Sequence, residues 1–164
     1  MWEGILSLLK RFLPVSFADA VRTVWHPSLS FLNALIAGFP AYHMTMIGVT
    51  GTKGKSTVAD MLHAIFSAAG HKTVLASTIR FAMGENSEPN LFKMTMPGRG
   101  YIQRFLGRAR GTGCTYAIIE ITSEGARTYR HTFLALNALI VTNIQKEHIE
   151  SHGSFEKYRA EKAK

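Results

Sequence analysis

Residues 48–57 read GVTGTKGKST, and the run that leads into them, MTMIGV, is apolar. The chemistry such a stretch can do is the binding of phosphate. Gly51 and Gly54 let backbone N–H groups turn inward, and a helix starting near Lys55 adds its positive end. Lys55 would neutralise charge on β- and γ-phosphate oxygens, and the Ser56 hydroxyl is placed to hold Mg²⁺. The general nucleotide pattern asks for a glycine five residues ahead of Gly54, where this chain has Val49. Strand, loop, Gly-Lys-Ser and helix nevertheless follow in the order a phosphate cradle requires. The candidate phosphate-binding residues are Gly51, Thr52, Lys53, Gly54, Lys55, Ser56 and Thr57; for Lys53 a plain solvent-facing role is the alternative.

Two further sets of polar residues follow apolar runs. Glu120 closes YAIIE and begins Glu-Ile-Thr-Ser-Glu, and Thr142-Asn143 follows ALIV and leads to Glu147 and His148. A carboxylate at the end of a strongly apolar strand is costly unless it meets a cation or a donor. A hard metal beside phosphates would suit it. His148 and His152 stand in HIESH, which is not the H-E-x-x-H zinc pattern. In α/β sheets ligands gather at the carboxyl ends of strands, so three polar ends of this kind should converge on one edge.

The elements that would position these residues are legible as alternating periods. HMTMIGV, KTVLAST, TYAIIEIT and ALNALIVTN read as buried strands. KSTVADMLHAIFSAAG carries Val58, Met61, Leu62, Ile65 and Phe66 at helical spacing and stops at Gly70. GYIQRFLGRARGTG reads as a basic helix, and FEKYRAEKAK has helix-forming composition. RFAMGENSEPNLFKMTMPG reads as a turn-rich excursion over the surface. Strands alternating with helices predict an α/β fold, a mostly parallel sheet covered on both faces.

The chain has 164 residues, 46% of them hydrophobic and 18% charged, which suits a packed domain rather than a disordered one. A formal charge of +8 favours anionic partners without choosing among them. The basic helix with Arg99, Arg104, Arg108 and Arg110 lacks interleaved aromatics beyond Tyr101 and Phe105, so nucleic acid is not expected as a partner. A single cysteine, Cys114, excludes an internal disulfide framework and fits a reducing compartment. Residues 1–42 form an apolar, helical lead-in punctuated by Pro14, Pro27 and Pro40; residues 43–164 carry the strand–turn–helix pattern. In the lead-in, ILSLLKRFL reads as a short amphipathic helix, since Glu3, Lys10 and Arg11 are out of order for a signal peptide. The uncharged SLSFLNALIAGFPAY is about 15 residues long, short of the roughly 20 a spanning helix needs. The lead-in is a candidate for peripheral membrane contact, against the alternative of packing on the main domain.

TGTKGKST, MTMP, IIEITSEGA and VTNIQKEHIESHGSFEKYRAEKAK together resemble the central ATPase domain of the Mur ligases. The likeness runs from about Met46 to Lys164 and is strongest to the branch that adds the third peptide residue to the muramoyl precursor. That family's loop has the form TGTxGK[ST], so Val49 is expected there. The resemblance implies ATP and Mg²⁺, with Lys55 and Ser56 on the phosphates and first metal, Glu120 sharing the metals, and His148 on the second. It also implies that Lys162 is carbamylated, and places Thr95, Ser123 and Asn143 towards a muramoyl-peptide substrate. The implied reaction is a cytoplasmic two-step amide ligation, in which a carboxylate takes the γ-phosphate of ATP and an amino-acid amine then displaces phosphate. Two departures stand out. Only about 45 residues precede the loop where the family has a uridine-binding domain, and Glu124 stands where histidine is frequent. The chain is accordingly expected to be part of a longer protein and inactive by itself. A folylpolyglutamate synthase-like ligase and a non-catalytic nucleotide-binding module are the alternative readings.

Overall fold

The apolar run before the glycine loop forms strand β1 (Thr45–Thr50), and the helix that follows, α2 (Lys55–Ala68), returns over the sheet to β2 (Thr73–Ala76). A 22-residue helix, α1 (Val15–Ile36), and a short 3₁₀ turn (Pro40–His43) come before β1. After β2 come β3 (Arg80–Met83), β4 (Asn86–Pro89), α3 (Arg99–Gly111), β5 (Tyr116–Glu120), the single-turn α4 (Ser123–Arg127) and β6 (Ala138–Val141). The computed structural model describes residues 15–92 and 94–145, with side chains described for all of these except 15–23 and 99. The helices expected over ILSLLKRFL and FEKYRAEKAK, together with His148 and Lys162, lie outside the described residues.

The strand order is β4-β3-β2-β5-β1-β6. β2, β5, β1 and β6 run parallel, with Val49 opposite Glu120 and Thr50 opposite Val141. The three polar strand ends picked out in the sequence therefore lie on adjacent strands, with the phosphate loop in the middle. Alternation along the strands supplies both faces of the sheet. Val74, Ala76, Ala117 and Ile119 pack into one cluster with Ile102, Phe105 and Leu106 of α3. Leu75 and Ile118 pack into the other with Ala59, Val58 and Leu62 of α2. Helix α1 forms an outer layer against α3.

Two local expectations need correction. The stretch read as a surface excursion pairs instead as an antiparallel hairpin, β3 with β4, turning at Gly84 with φ +58°. Its second strand, Asn-Ser-Glu-Pro, is wholly exposed and poor in strand-forming residues. Pairing to β3 imposes its form, and Pro89 is tolerated because the strand is at an edge. Pro27, read as a break in the lead-in, lies inside α1. The cost of the missing N–H is local, and one turn of the helix there is supplemented by Ser28 Oγ donating to Val24 O at 2.8 Å.

Candidate functional site: the phosphate loop and its acidic neighbour

Residues 51–54 leave β1 in a conformation that needs glycine twice. Gly51 has φ +146° and Gly54 has φ +78°, the latter as the residue that caps α2. A Cβ on Gly51 would coincide with Thr142 Oγ1 and press on the Asn143 backbone. The loop is fastened from the end of β6. Thr52 N donates to Asn143 O (2.9 Å) and Gln145 N to Thr52 Oγ1 (2.9 Å). Asn143 then grips Lys53 on both sides, with Lys53 N donating to Oδ1 (3.0 Å) and Nδ2 donating to Lys53 O (3.0 Å). Thr142 Oγ1 adds a bond to Lys53 O at 2.7 Å. Asn143, expected near the substrate, is thus seen here as the clamp of the loop.

The first bond of the α2 ladder is Val58 N to Gly54 O. The N–H groups of Lys55, Ser56 and Thr57 precede that ladder and point out from the helix start, the arrangement that attracts an anion. Lys55 Nζ donates to Thr52 O at 2.9 Å, so its ammonium lies folded over the loop.

Glu120 is 1% exposed. Among the described residues no cation pairs with it; three donors meet on its Oε2 instead. They are Ser56 Oγ at 2.9 Å, Thr78 N at 2.8 Å and Thr78 Oγ1 at 3.0 Å. Thr78 Oγ1 in turn shares a 2.7 Å hydrogen bond with Thr95 Oγ1. Ser56, Glu120 and Thr95 are therefore joined in one chain of contacts through Thr78, which the motif reading passed over. A signal was present: Ser77-Thr78 is the polar end of KTVLA, and β2 lies beside β5 as β1 does. Ser123 opens α4 just beyond, where Thr122 Oγ1 accepts from Gly125 N at 3.0 Å.

Further along α2, His63 is buried and its Nε2 has no hydrogen-bond partner among the described residues. Burial holds its pKa below the usual 6.5, the Arg80 charge adds to this, and Asp60 opposes it. Asp60 Oδ1 itself accepts from Arg80 Nε at 2.8 Å. Among the described residues no group of three or more His, Cys, Asp or Glu gathers around a point.

A glycine-bearing loop between a central parallel strand and a helix, facing an acidic end on the next strand, defines a phosphate-loop α/β domain. Residues 49–164 match the family model of the Mur ligase middle domain, and the chain belongs to the Mur ligase family. It is 36% identical over 138 residues to the UDP-N-acetylmuramyl-tripeptide synthetase of Treponema pallidum (strain Nichols), covering 83% of this chain and 26% of that protein. It is 28% identical over 166 residues to the UDP-N-acetylmuramoyl-L-alanyl-D-glutamate–2,6-diaminopimelate ligase of Bacteroides fragilis, covering 99% and 34%. A solved structure of a UDP-N-acetylmuramoyl-L-alanyl-D-glutamate–2,6-diaminopimelate ligase superposes with a TM-score of 0.64 at 26% identity, over 73% of this chain and 24% of that one. The chain thus spans about a quarter to a third of the length of these relatives.

Proposed function

We propose that the chain is the ATP-binding part of an amide ligase of peptidoglycan precursor synthesis, acting in the cytoplasm on a muramoyl-peptide carboxylate and an amino acid. The observation that carries this reading is the 2.9 Å contact between Ser56 Oγ and Glu120 Oε2 at the start of α2. It sets a hydroxyl and a buried carboxylate beside a helix start that favours phosphate. Both are hard oxygen donors, the kind Mg²⁺ prefers, and no cation among the described residues already satisfies Glu120; the donor set fits the metal. Ser56 and Glu120 would hold it, with His148 and carbamylated Lys162 assigned to the same task by resemblance. When bound, Mg²⁺ would supply positive charge against the phosphate oxygens.

The chain's own residues then have separable tasks. The N–H groups of Lys55, Ser56 and Thr57 cradle the phosphates, with Gly51 and Gly54 shaping the turn and Thr52 and Lys53 held in it by Asn143. Lys55 Nζ exchanges Thr52 O for a phosphate oxygen and opposes the negative charge there. An acceptor carboxylate attacks the γ-phosphorus, forming a C–O–P bond as ADP leaves. The amine then attacks the acyl carbon, phosphate leaves, and the amine loses a proton. Thr95 and Ser123, near Glu120 in the fold or sequence, are assigned to the acceptor. Residues 43–164 serve as the nucleotide domain, with 1–42 preceding it. The names of the relatives support a third-residue ligase; the added amino acid is left open.

The test is Lys55→Ala in the full-length protein, followed by acceptor-dependent ADP release. A fall of about 100-fold or more is expected when a charge-stabilising group of this kind is removed. Unchanged turnover would overturn the ligase assignment.

A further inference from the structure

Helix α1 presents its apolar residues to the outside. On its inner side Ala34 is buried and Ser30 Oγ donates to Tyr129 O at 2.9 Å. On the outer side Val24, Trp25, Phe31, Leu32, Leu35 and Ile36 are exposed, Trp25 by 59% and Ile36 by 74%. Phe31 is partly anchored by an edge contact with Phe133. The spacing of three, four and seven residues sets the six along one stripe. A solvent-facing helix side ordinarily carries charge; between Val24 and Ile36 this one carries none.

The charge is next door. Arg104 and Arg108 of α3 join Ile36, Ala37, Tyr101 and Gly107 in lining an open cleft of about 630 Å³ between the two helices. Both arginines are exposed, and no acidic residue occurs between Asp19 and Asp60 or between Glu88 and Glu120. An apolar stripe with a tryptophan, flanked by arginines and drawn from two stretches of chain that contain no carboxylate, matches a surface that offers an apolar layer beneath dense negative charge. None of the described helices is long and apolar enough to cross a membrane, so contact would be in the plane of the surface.

We propose that the outer face of α1 and the arginines of α3 dock on an anionic bilayer. Trp25, Leu32, Leu35 and Ile36 enter the boundary between headgroups and acyl chains, and Arg104 and Arg108 meet lipid phosphates. This reading is independent of the ligase assignment, since none of these residues belongs to the phosphate site. The test is flotation of the full chain with phosphatidylglycerol-containing vesicles and with pure phosphatidylcholine vesicles. Binding to the anionic vesicles is expected to be about tenfold or more tighter, given about 1 kcal/mol per arginine near the surface, and to weaken with salt. In a W2F background the emission of Trp25 should shift to the blue on binding. W25S/L32S/L35S/I36S should lose flotation while keeping its thermal midpoint, and R104Q/R108Q should lose the preference for anionic lipid. Absence of flotation, flotation of the fourfold variant at the wild-type level, or equal binding to both vesicle types would overturn the proposal. So would a wild-type dimer that the fourfold variant converts to monomer, which would give the face to a second copy.

Discussion

At the carboxyl edge of the sheet, side chains are tied to one another: Asn143 grips the loop, Thr78 and Ser56 share one oxygen of Glu120, and Lys55 folds over Thr52. Along the outer face of α1, the side chains of Val24, Leu35 and Ile36 stand apart in solvent. The two regions differ in what a substitution can disturb. At the edge a single change leaves partners buried and unsatisfied, which costs more than the bond itself. On α1 no buried polar partner is left behind, because these side chains are apolar and more than half exposed.

After the loss expected for Lys55→Ala, the largest effect of breaking the edge is that of Gly51→Ala. A left-handed backbone costs a non-glycine residue about 1–3 kcal/mol, and the new methyl would overlap Thr142 Oγ1. Titration with a fluorescent ATP analogue should show affinity falling by about tenfold or more, with a lowered thermal midpoint; wild-type binding would mean that the loop tolerates displacement. Next is Thr78→Val, which removes the Oγ1 bond to the buried carboxylate and keeps the backbone one. Hydrogen bonds to charged groups contribute about 1.5–3 kcal/mol, so kcat should fall by roughly tenfold, and Thr78→Ser should restore it. A loss that serine does not recover would point to packing of the methyl group instead.

His63 tests how far the interlocking reaches along α2. Its folded-state pKa is depressed, chiefly by burial and then by Arg80. The unfolded chain therefore binds the extra proton first, and stability should decrease as pH falls from above 6.5 towards the folded-state pKa. The urea midpoint of the wild type relative to that of His63→Leu should be lower at about pH 5.5 than at about pH 7.5; a difference that does not change with pH would mean that His63 titrates alike in the folded and unfolded chain. The smallest effect belongs to α1: Ile36→Ser should change unfolding free energy by no more than about 0.5 kcal/mol, as exposed positions do. A larger loss would show that the face is covered in the full-length protein.

Much of this was legible from residue order. The run MTMIGV, the loop and the helix behind it are local signals, and the apolar strands ending in Glu120 and Thr142 predict neighbours on one edge because parallel sheets gather their carboxyl ends. The β3–β4 hairpin was hidden because Asn86, Glu88 and Pro89 have no strand preference, and pairing with β3 decides their form. The clamp was hidden too. Asn143 reads as one more polar residue after a strand until β6 is set beside β1, across 90 residues of sequence. Thr78 needed the same step, since only the adjacency of β2 and β5 turns its hydroxyl towards Glu120.

The clamp has a consequence for motion. Among the described residues β6 pairs with β1 alone and is the outermost strand of the described sheet, and a strand with one paired neighbour opens more readily than one with two. Because Thr142 and Asn143 at its end hold Lys53, each opening of β6 releases the phosphate loop. Opening and loop order are thus thermodynamically linked, and whatever binds only the ordered loop must disfavour the open state by the free energy of its binding. Amide hydrogen exchange at Leu139, Ile140 and Val141 would then report on the nucleotide without any of the three touching it.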